Sequence, residues 1–221
     1  SPKYYRYVLI VAILILLTLA CGGTGSTPEE RMPSPTPDRE SLIPPEPGKI
    51  TPEEDIYPPR SVTTEYIDPV PLPYPVNTAG GEDSAFVMPD GKTLYAWFTP
   101  DVSKPAEQQI GDGVTGIYVF HKTCDGWSSA ERVMLQDPGK LALDGCGFIQ
   151  NDVIWFCSVR EGYTGMHWFT AEFNGGEWTN WQLADFPDDY EVGELHITAD
   201  GQELYFHSPR SGGKGGYDIW A

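Results

Sequence analysis

The clearest alternation of apolar and polar positions lies in residues 191–220, near the end of the sequence. Leu195 and Ile197 alternate with polar neighbours, and an Asp200-Gly201 pair separates them from a second apolar run. A period of two indicates a β-strand, and Asp-Gly is typical of tight turns because glycine tolerates a positive φ. A glycine-rich loop then leads into an apolar segment at 217–220. This pattern predicts a hairpin followed by a third strand.

Two earlier segments carry the same pattern. Residues 84–95 place a hairpin around an Asp-Gly pair, and residues 147–155 place one around a shorter turn. Each is followed by further predicted strands, a third at 116–120 and 165–169 and a fourth at 124–127 and 174–178. The period is therefore about 50 residues, or four strands.

Several of these strands are apolar at consecutive positions, notably 94–98 and 153–157. A sheet with one solvated face would alternate, so these strands are predicted to be covered on both faces. Four-stranded sheets stacked face to face around an axis provide that cover, which describes an all-β fold of the β-propeller type. A β-sandwich is the structural alternative, but it does not explain the repeat.

Specific motifs in the segments support a propeller. They are the turns Pro89-Asp90-Gly91 and Asp200-Gly201, the S-x-R elements Ser158–Arg160 and Ser208–Arg210, and the Asp218-Ile219-Trp220 strand. Together they resemble the WD40-like β-propeller repeat of TolB-type proteins, over roughly residues 80–221. The resemblance implies four-stranded blades at about 80–137, 138–187 and 188–221, the last incomplete. It implies little about function, because propellers include enzymes, scaffolds and receptors.

Two and a half blades are fewer than the 4 to 8 that closed propellers typically contain. Open apolar faces and unpaired strand edges would promote aggregation in water. Residues 76–221 are therefore expected to be part of a longer propeller that continues after Ala221.

The first residues predict export. Lys3 and Arg6 precede an apolar run that is shorter than a membrane-spanning helix and ends at Cys21, so residues 1–20 are predicted to be a signal peptide. Residues 17–21, Leu-Thr-Leu-Ala-Cys, resemble a bacterial lipobox, which implies lipidation of Cys21 and a location in the cell envelope, on the extracytoplasmic side of a bacterial-type membrane. An uncleaved membrane anchor is the alternative.

Residues 21–75 are rich in Pro, Glu, Ser and Thr and contain few large apolar residues. Such a segment buries too little surface to offset its chain entropy, so it is predicted to be a disordered tether between the lipid and the propeller. The net charge of -18 argues against nucleic acid as a partner, because phosphate binding requires basic patches. No cofactor motif is present in the sequence, and none is predicted.

In each predicted blade, the start of the first strand, the end of the second and the start of the third lie at the same end of the sheet. This geometry predicts two groups of ligand-binding candidates near the mouth of a channel. The first comprises Glu191, Glu194, His196 and Arg210, with Asp218 close by, and the second comprises Asp144 with Arg160. The competing interpretation is that each arginine pairs with an aspartate and fixes a loop.

Glu194 and His196, with His207 on the paired strand, are also a conceivable set of metal ligands, although no metal is predicted. Glu191 and Glu194 are candidates for the paired carboxylates of a glycosidase. A binding or scaffold module for a protein or glycan partner is the leading functional hypothesis, and a propeller-type carbohydrate hydrolase is its rival.

The cysteines predict a crosslink. With the turn at Asn151-Asp152, Cys146 and Cys157 fall opposite each other on paired strands, where they form a disulfide or a buried pair of free thiols. An oxidising compartment favours the disulfide. Cys124 is left over, as a free thiol or with a partner elsewhere.

Overall fold

Antiparallel β-sheets make up almost all the regular structure in the computed structural model, which describes residues 38–46, 48–186 and 191–221. These residues all belong to one unit, Thr36–Ala221. The predicted all-β class is therefore confirmed. The predicted signal peptide and Cys21 lie outside the described residues, and no helix among the described residues is long and apolar enough to cross a membrane.

A 3₁₀ helix at Arg39–Leu42 precedes the strands and a short α-helix. In chain order these are β1 (Gly81–Val87), β2 (Thr93–Thr99), α1 (Ala106–Gln109), β3 (Gly116–Thr123), β4 (Gly126–Trp127), β5 (Glu131–Arg132), β6 (Ala142–Gln150), β7 (Val153–Arg160), β8 (Met166–Asn174), β9 (Glu177–Leu183), β10 (Leu195–Ile197), β11 (Leu204–Ser208) and β12 (Asp218–Trp220).

Three sheets follow each other along the chain, and their strands pair in sequence order except for β5. The first contains β1, β2 and β3, with both β4 and β5 paired to β3. The second contains β6 to β9, and the third contains β10 to β12. Every pairing is antiparallel, as short hairpin connections require. The hairpins predicted around residues 90, 151 and 200 are all present.

Both faces of the central strands are covered, as the sequence predicted. On β7, Ile154 and Phe156 are fully buried in a core shared with the first sheet, whereas Cys157 lies on the opposite face in a core shared with the third. On β2, Tyr95 packs towards the second sheet, and Phe98 faces a separate cluster. The second sheet is therefore packed between the other two.

The first strand of each sheet carries an irregularity that the sequence did not predict. The register shifts by one residue between Asp83 and Phe86 in β1, and between Gly145 and Phe148 in β6. Such β-bulges add one residue to a strand and redirect the side chains beside them.

A matching irregularity precedes β10. The Gly193 N–H donates to the His207 carbonyl at 2.9 Å, one residue out of step with the Leu195–Phe206 pair. Glu194 is therefore the extra residue in the third sheet, at the position that corresponds to Ser84 and Cys146 in the other two.

The bulge corrects the predicted cysteine register. Cys157 is paired with Gly145, and Cys146 is the bulged residue rather than its direct partner. The two cysteines nevertheless form a disulfide, with Cα atoms 5.4 Å apart, because the bulge turns the Cys146 side chain towards β7. Cys124 is a free, exposed thiol.

Two basic residues of the predicted tether contact the first sheet. Arg39 is buried against the rings of Phe98 and Tyr118. Lys49 forms an ion pair with Glu82 at the start of β1. In the rest of its described part, residues 38–46 and 48–75, most large apolar side chains are exposed, and the role of the segment as a tether stays a prediction.

Candidate functional site

The first strands of the three sheets lie side by side, so that equivalent positions on β1, β6 and β10 come together. Phe86 meets Phe148 edge to face, with ring centroids 5.2 Å apart, and Phe148 meets His196 in the same way at 5.0 Å. The Gln150 side-chain amide also donates to the Thr198 carbonyl at 2.9 Å. Edge-to-face contacts of this kind favour a fixed geometry, so the three strands form a continuous aromatic line.

The three bulge positions lie beside this aromatic line, each two residues before the ring in its strand. Ser84 and Cys146 have φ values of 51° and 55°, in the left-handed region that few non-glycine residues adopt. The Ser84 hydroxyl donates a hydrogen bond to a carboxylate oxygen of Glu194. Two residues separated by 110 positions in the chain are thereby joined, one from the first sheet and one from the third.

A second carboxylate on the third sheet has a different partner. The Tyr217 hydroxyl donates to Glu191 at 3.2 Å, and this hydrogen bond raises the pKa of Tyr217 above its ordinary value. The Tyr217 ring meets His207 edge to face at 5.5 Å and remains 57% exposed. His207 itself lies against Gly193, where a side chain would collide with the imidazole ring.

We call Ser84, Glu194, Glu191 and Tyr217 the polar rim. Glu191, Glu194 and Tyr217 are exposed and Ser84 is partly exposed. Together they contribute two carboxylates and two hydroxyls. The rim presents hydrogen-bond acceptors and donors next to aromatic edges, which suits reversible recognition of a polar ligand.

Two predicted site residues have local structural contacts instead. The Asp218 carboxylate accepts hydrogen bonds from the Lys214 and Gly215 N–H groups, both at 2.9 Å, and so closes the glycine-rich loop. The Arg210 guanidinium stacks over Trp220, 4.0 Å from the ring centroid. Asp218 therefore holds the glycine-rich loop in place, and Arg210 packs against the third sheet.

Asp144 and Arg160 form a buried ion pair. Arg160 Nη2 lies 2.7 Å from Asp144 Oδ1, and the two side chains are 8% and 4% exposed, the arginine first. The Ser158 hydroxyl donates to the same carboxylate at 2.7 Å, and Arg160 also donates to the carbonyl of Leu135, in the connection between β5 and β6. The pair is enclosed by protein atoms. This agrees with the competing interpretation, in which the arginine and the aspartate have a structural role and do not bind a ligand.

The conceivable metal ligands are not brought together. Glu194 contacts Ser84, whereas the rings of His196 and His207 pack against separate aromatic side chains. Within the described ranges there is no group of three His, Cys, Asp or Glu side chains that could hold a metal ion.

Sequence reasoning missed four residues of this region: Ser84, Phe86, Phe148 and Tyr217. Phe86, Phe148 and His196 precede their hairpin turns by similar numbers of residues, so aligning the first strands on their turns would have matched these three. The contact of Ser84 with Glu194 had no such signal, because it depends on how separate sheets pack.

Comparisons with protein-family models, with curated proteins and with solved structures found no match to this chain.

Proposed function

We propose that the chain is an extracytoplasmic, lipid-anchored β-propeller that acts as a binding or scaffold module for a protein or glycan partner. The observation that carries this proposal is the hydrogen bond between Ser84 and Glu194. It places a carboxylate at the meeting point of the first and third sheets, where a ligand would contact several sheets at once.

The propeller part of the proposal draws support from the packing. Sheets that succeed one another along the chain share faces, their first strands adjoin, and their bulges fall at equivalent positions. In propellers, repeated sheets are arranged around a central channel, and the polar rim would then lie at one mouth of that channel.

The location draws support from the Cys146–Cys157 disulfide. Disulfides persist mainly in oxidising environments such as the bacterial periplasm and the cell surface. This agrees with the lipobox-like residues 17–21 and with a tether that separates the folded unit from a membrane.

Binding is favoured over catalysis because the two carboxylates of the rim have separate hydroxyl partners. A glycosidase needs two carboxyl groups that face the same bond, one of them acting as an acid. Glu194 is engaged by Ser84, and Glu191 is engaged by Tyr217.

The test compares the chain with its Glu194→Gln variant on an array of soluble oligosaccharides and on immobilised envelope proteins. Glutamine keeps the size of the side chain but removes its charge, and a charged hydrogen bond contributes about 1.5–3 kcal/mol. We therefore expect binding to weaken by roughly tenfold or more.

Glu107→Gln is the matched control, because Glu107 is exposed on α1, outside the polar rim. It should bind like the parent chain. Equal binding by the Glu194→Gln variant would show that the polar rim is not the binding site. Release of sugar from an arrayed oligosaccharide, lost in the same variant, would establish the hydrolase instead.

A further inference from the structure

Each of the three sheets has one arginine packed on the aromatic residues of its middle strands, but the arginine on the first sheet comes from a distant part of the chain. In the second sheet, Arg160 lies 4.2 Å above the ring centroid of Phe169. In the third, Arg210 lies 4.0 Å above that of Trp220. Both arginines belong to an S-x-R sequence at the end of the second strand of their own sheet.

The first sheet has no arginine at the corresponding place. When the first two sheets are aligned on their β-bulges, the buried Pro100 occupies the position that Arg160 has in the second sheet. Arg39 covers the equivalent face, 4.4 Å from the ring centroid of Phe98 and 5.2 Å from that of Tyr118. Tyr118 in β3 and Phe169 in β8 occupy equivalent positions, since each pairs with the residue just before the one that faces the bulge.

Arg39 is inserted deeply, whereas its neighbours are not. The residue is only 5% exposed, and its guanidinium donates to the Pro75 carbonyl. Burial lowers the pKa of Arg39 below its ordinary value. Leu42 remains 46% exposed, and Ile43 is only partly buried against the same cluster.

We propose that residues 38–43 are a detachable strap, which docks on the outer face of the first sheet through Arg39 and replaces the missing S-x-R arginine. The face beneath it corresponds to the one that the second and third sheets use to pack on the sheet before them. The strap and another sheet would compete for this face, because both must contact Phe98 and Tyr118.

Arg39 is the one buried residue of the strap, which would allow the strap to leave while the sheets stay folded. Segments with few buried contacts open locally at much lower free energy than the core. When the strap is docked, the predicted tether is held to the first sheet at Arg39 and at Lys49. When it is released, the free tether extends as far as Lys49, whose ion pair with Glu82 is separate from the strap. The proposal depends on the contact of Arg39 with the first sheet and does not require lipidation of Cys21.

Detachment is tested by hydrogen exchange of the whole chain in increasing urea below the unfolding transition. The Ser41 and Ile43 amides donate within the strap, at 3.0 and 3.1 Å. Their exchange should be independent of urea, as expected for local opening, whereas the amides of β2 and β3 should exchange through global unfolding. Exchange of Ser41 and Ile43 only through global unfolding would overturn the proposal.

Dependence on the arginine is tested with Arg39→Ala and a protease that cleaves after glutamate. Dividing the cleavage rate after Glu40 in urea-unfolded chain by the rate in folded chain gives a protection factor that is free of local sequence effects. A desolvated cation–π contact is equivalent to roughly thirtyfold in an equilibrium constant, so we expect protection to fall by about that factor.

Arg60→Ala is the matched control, since Arg60 lies in the same predicted tether and forms an exposed ion pair with Asp68. It should leave protection at Glu40 unchanged. Cleavage after the exposed Glu65 should be equal in all three proteins. Parent-like protection at Glu40 in the Arg39→Ala variant would contradict the proposal, whatever the outcome of the ligand-binding experiment on Glu194.

Discussion

At the scale of single residues, the charged side chains occupy two kinds of environment, buried and exposed. Asp144 and Arg160 are buried and satisfy each other, with Ser158 and a backbone carbonyl completing their hydrogen bonds. Glu191 and Glu194 are exposed, and their carboxylates accept hydrogen bonds from hydroxyl groups. Buried charges that are fully paired support the fold, and exposed carboxylates are available to a ligand.

Removing one partner of the buried pair should be strongly destabilising. Arg160→Ala leaves the Asp144 carboxylate without its cation in a site that excludes water. We expect the free energy of unfolding to fall by about 3–5 kcal/mol, measured by urea denaturation.

Two comparisons sharpen this prediction. Lys140→Ala, which breaks an exposed ion pair with Glu161, should leave the unfolding midpoint unchanged. Combining Asp144→Leu with Arg160→Met should recover much of the lost stability, because no charge then remains buried. A loss in Arg160→Ala no larger than that in Lys140→Ala would show that the pair contributes little.

At the scale of elements, the bulge in each first strand determines where the site residues lie. Ser84, Cys146 and Glu194 occupy the same position in three strands, yet they have different roles. Cys146 is bonded to β7, whereas Ser84 and Glu194 contact each other across sheets. The bulge is thus a common backbone feature that presents a different side chain in each sheet.

The disulfide should stabilise the second sheet mainly by restricting the unfolded chain. Its cysteines are 11 residues apart, and closing a loop of that length corresponds to about 3 kcal/mol in the chain-entropy model. We expect the Cys146→Ser, Cys157→Ser variant to lose about that much stability in urea denaturation without reductant.

Cys124→Ser is the control, because Cys124 is exposed and free. Its unfolding should match that of the parent chain. If adding a reductant to the parent left its denaturation curve unchanged, the predicted contribution of the disulfide would be wrong.

At the scale of the whole molecule, stability depends on sheets covering one another. The second sheet is buried on both faces by its neighbours, and the first sheet has its outer face covered by Arg39 and Ile43. Apolar faces that meet in this way remove large areas from water, which is the main driving force for folding. The proposed function also requires that the chain be held at a membrane, as the lipobox-like residues 17–21 predict.

Replacing Cys21 with serine should release the chain from the membrane. A lipidated cysteine would carry the acyl chains that hold the protein in the bilayer, and serine has no thiol to accept this modification. We expect the Cys21→Ser variant to lose the lipid mass in intact-protein mass spectrometry and to leave the salt-washed membrane fraction.

The Cys124→Ser variant should keep both the lipid mass and the membrane association of the parent. Residues 1–20 still attached to the parent chain, with no lipid mass on Cys21, would instead establish the uncleaved anchor.

Much of the local structure could be predicted from the sequence alone. Alternating apolar positions predicted the strands, and Asp-Gly or Asn-Asp pairs predicted the three hairpin turns, because these features depend on neighbouring residues alone. Consecutive apolar residues on β2 and β7 also predicted cover on both faces. The propeller and the lipid anchor stay predictions, since closure of the array and lipidation of Cys21 depend on features beyond local pattern.

The contacts between distant side chains could not be predicted and follow from the packing of the sheets. A one-residue bulge moved Cys146 out of its predicted register, and the packing of separate sheets joined Ser84 to Glu194. The same packing buried Arg39, a residue of a segment whose composition predicted no fixed contacts. These outcomes depend on residues far apart in the chain, where the pattern of apolar and polar positions carries no information about distance.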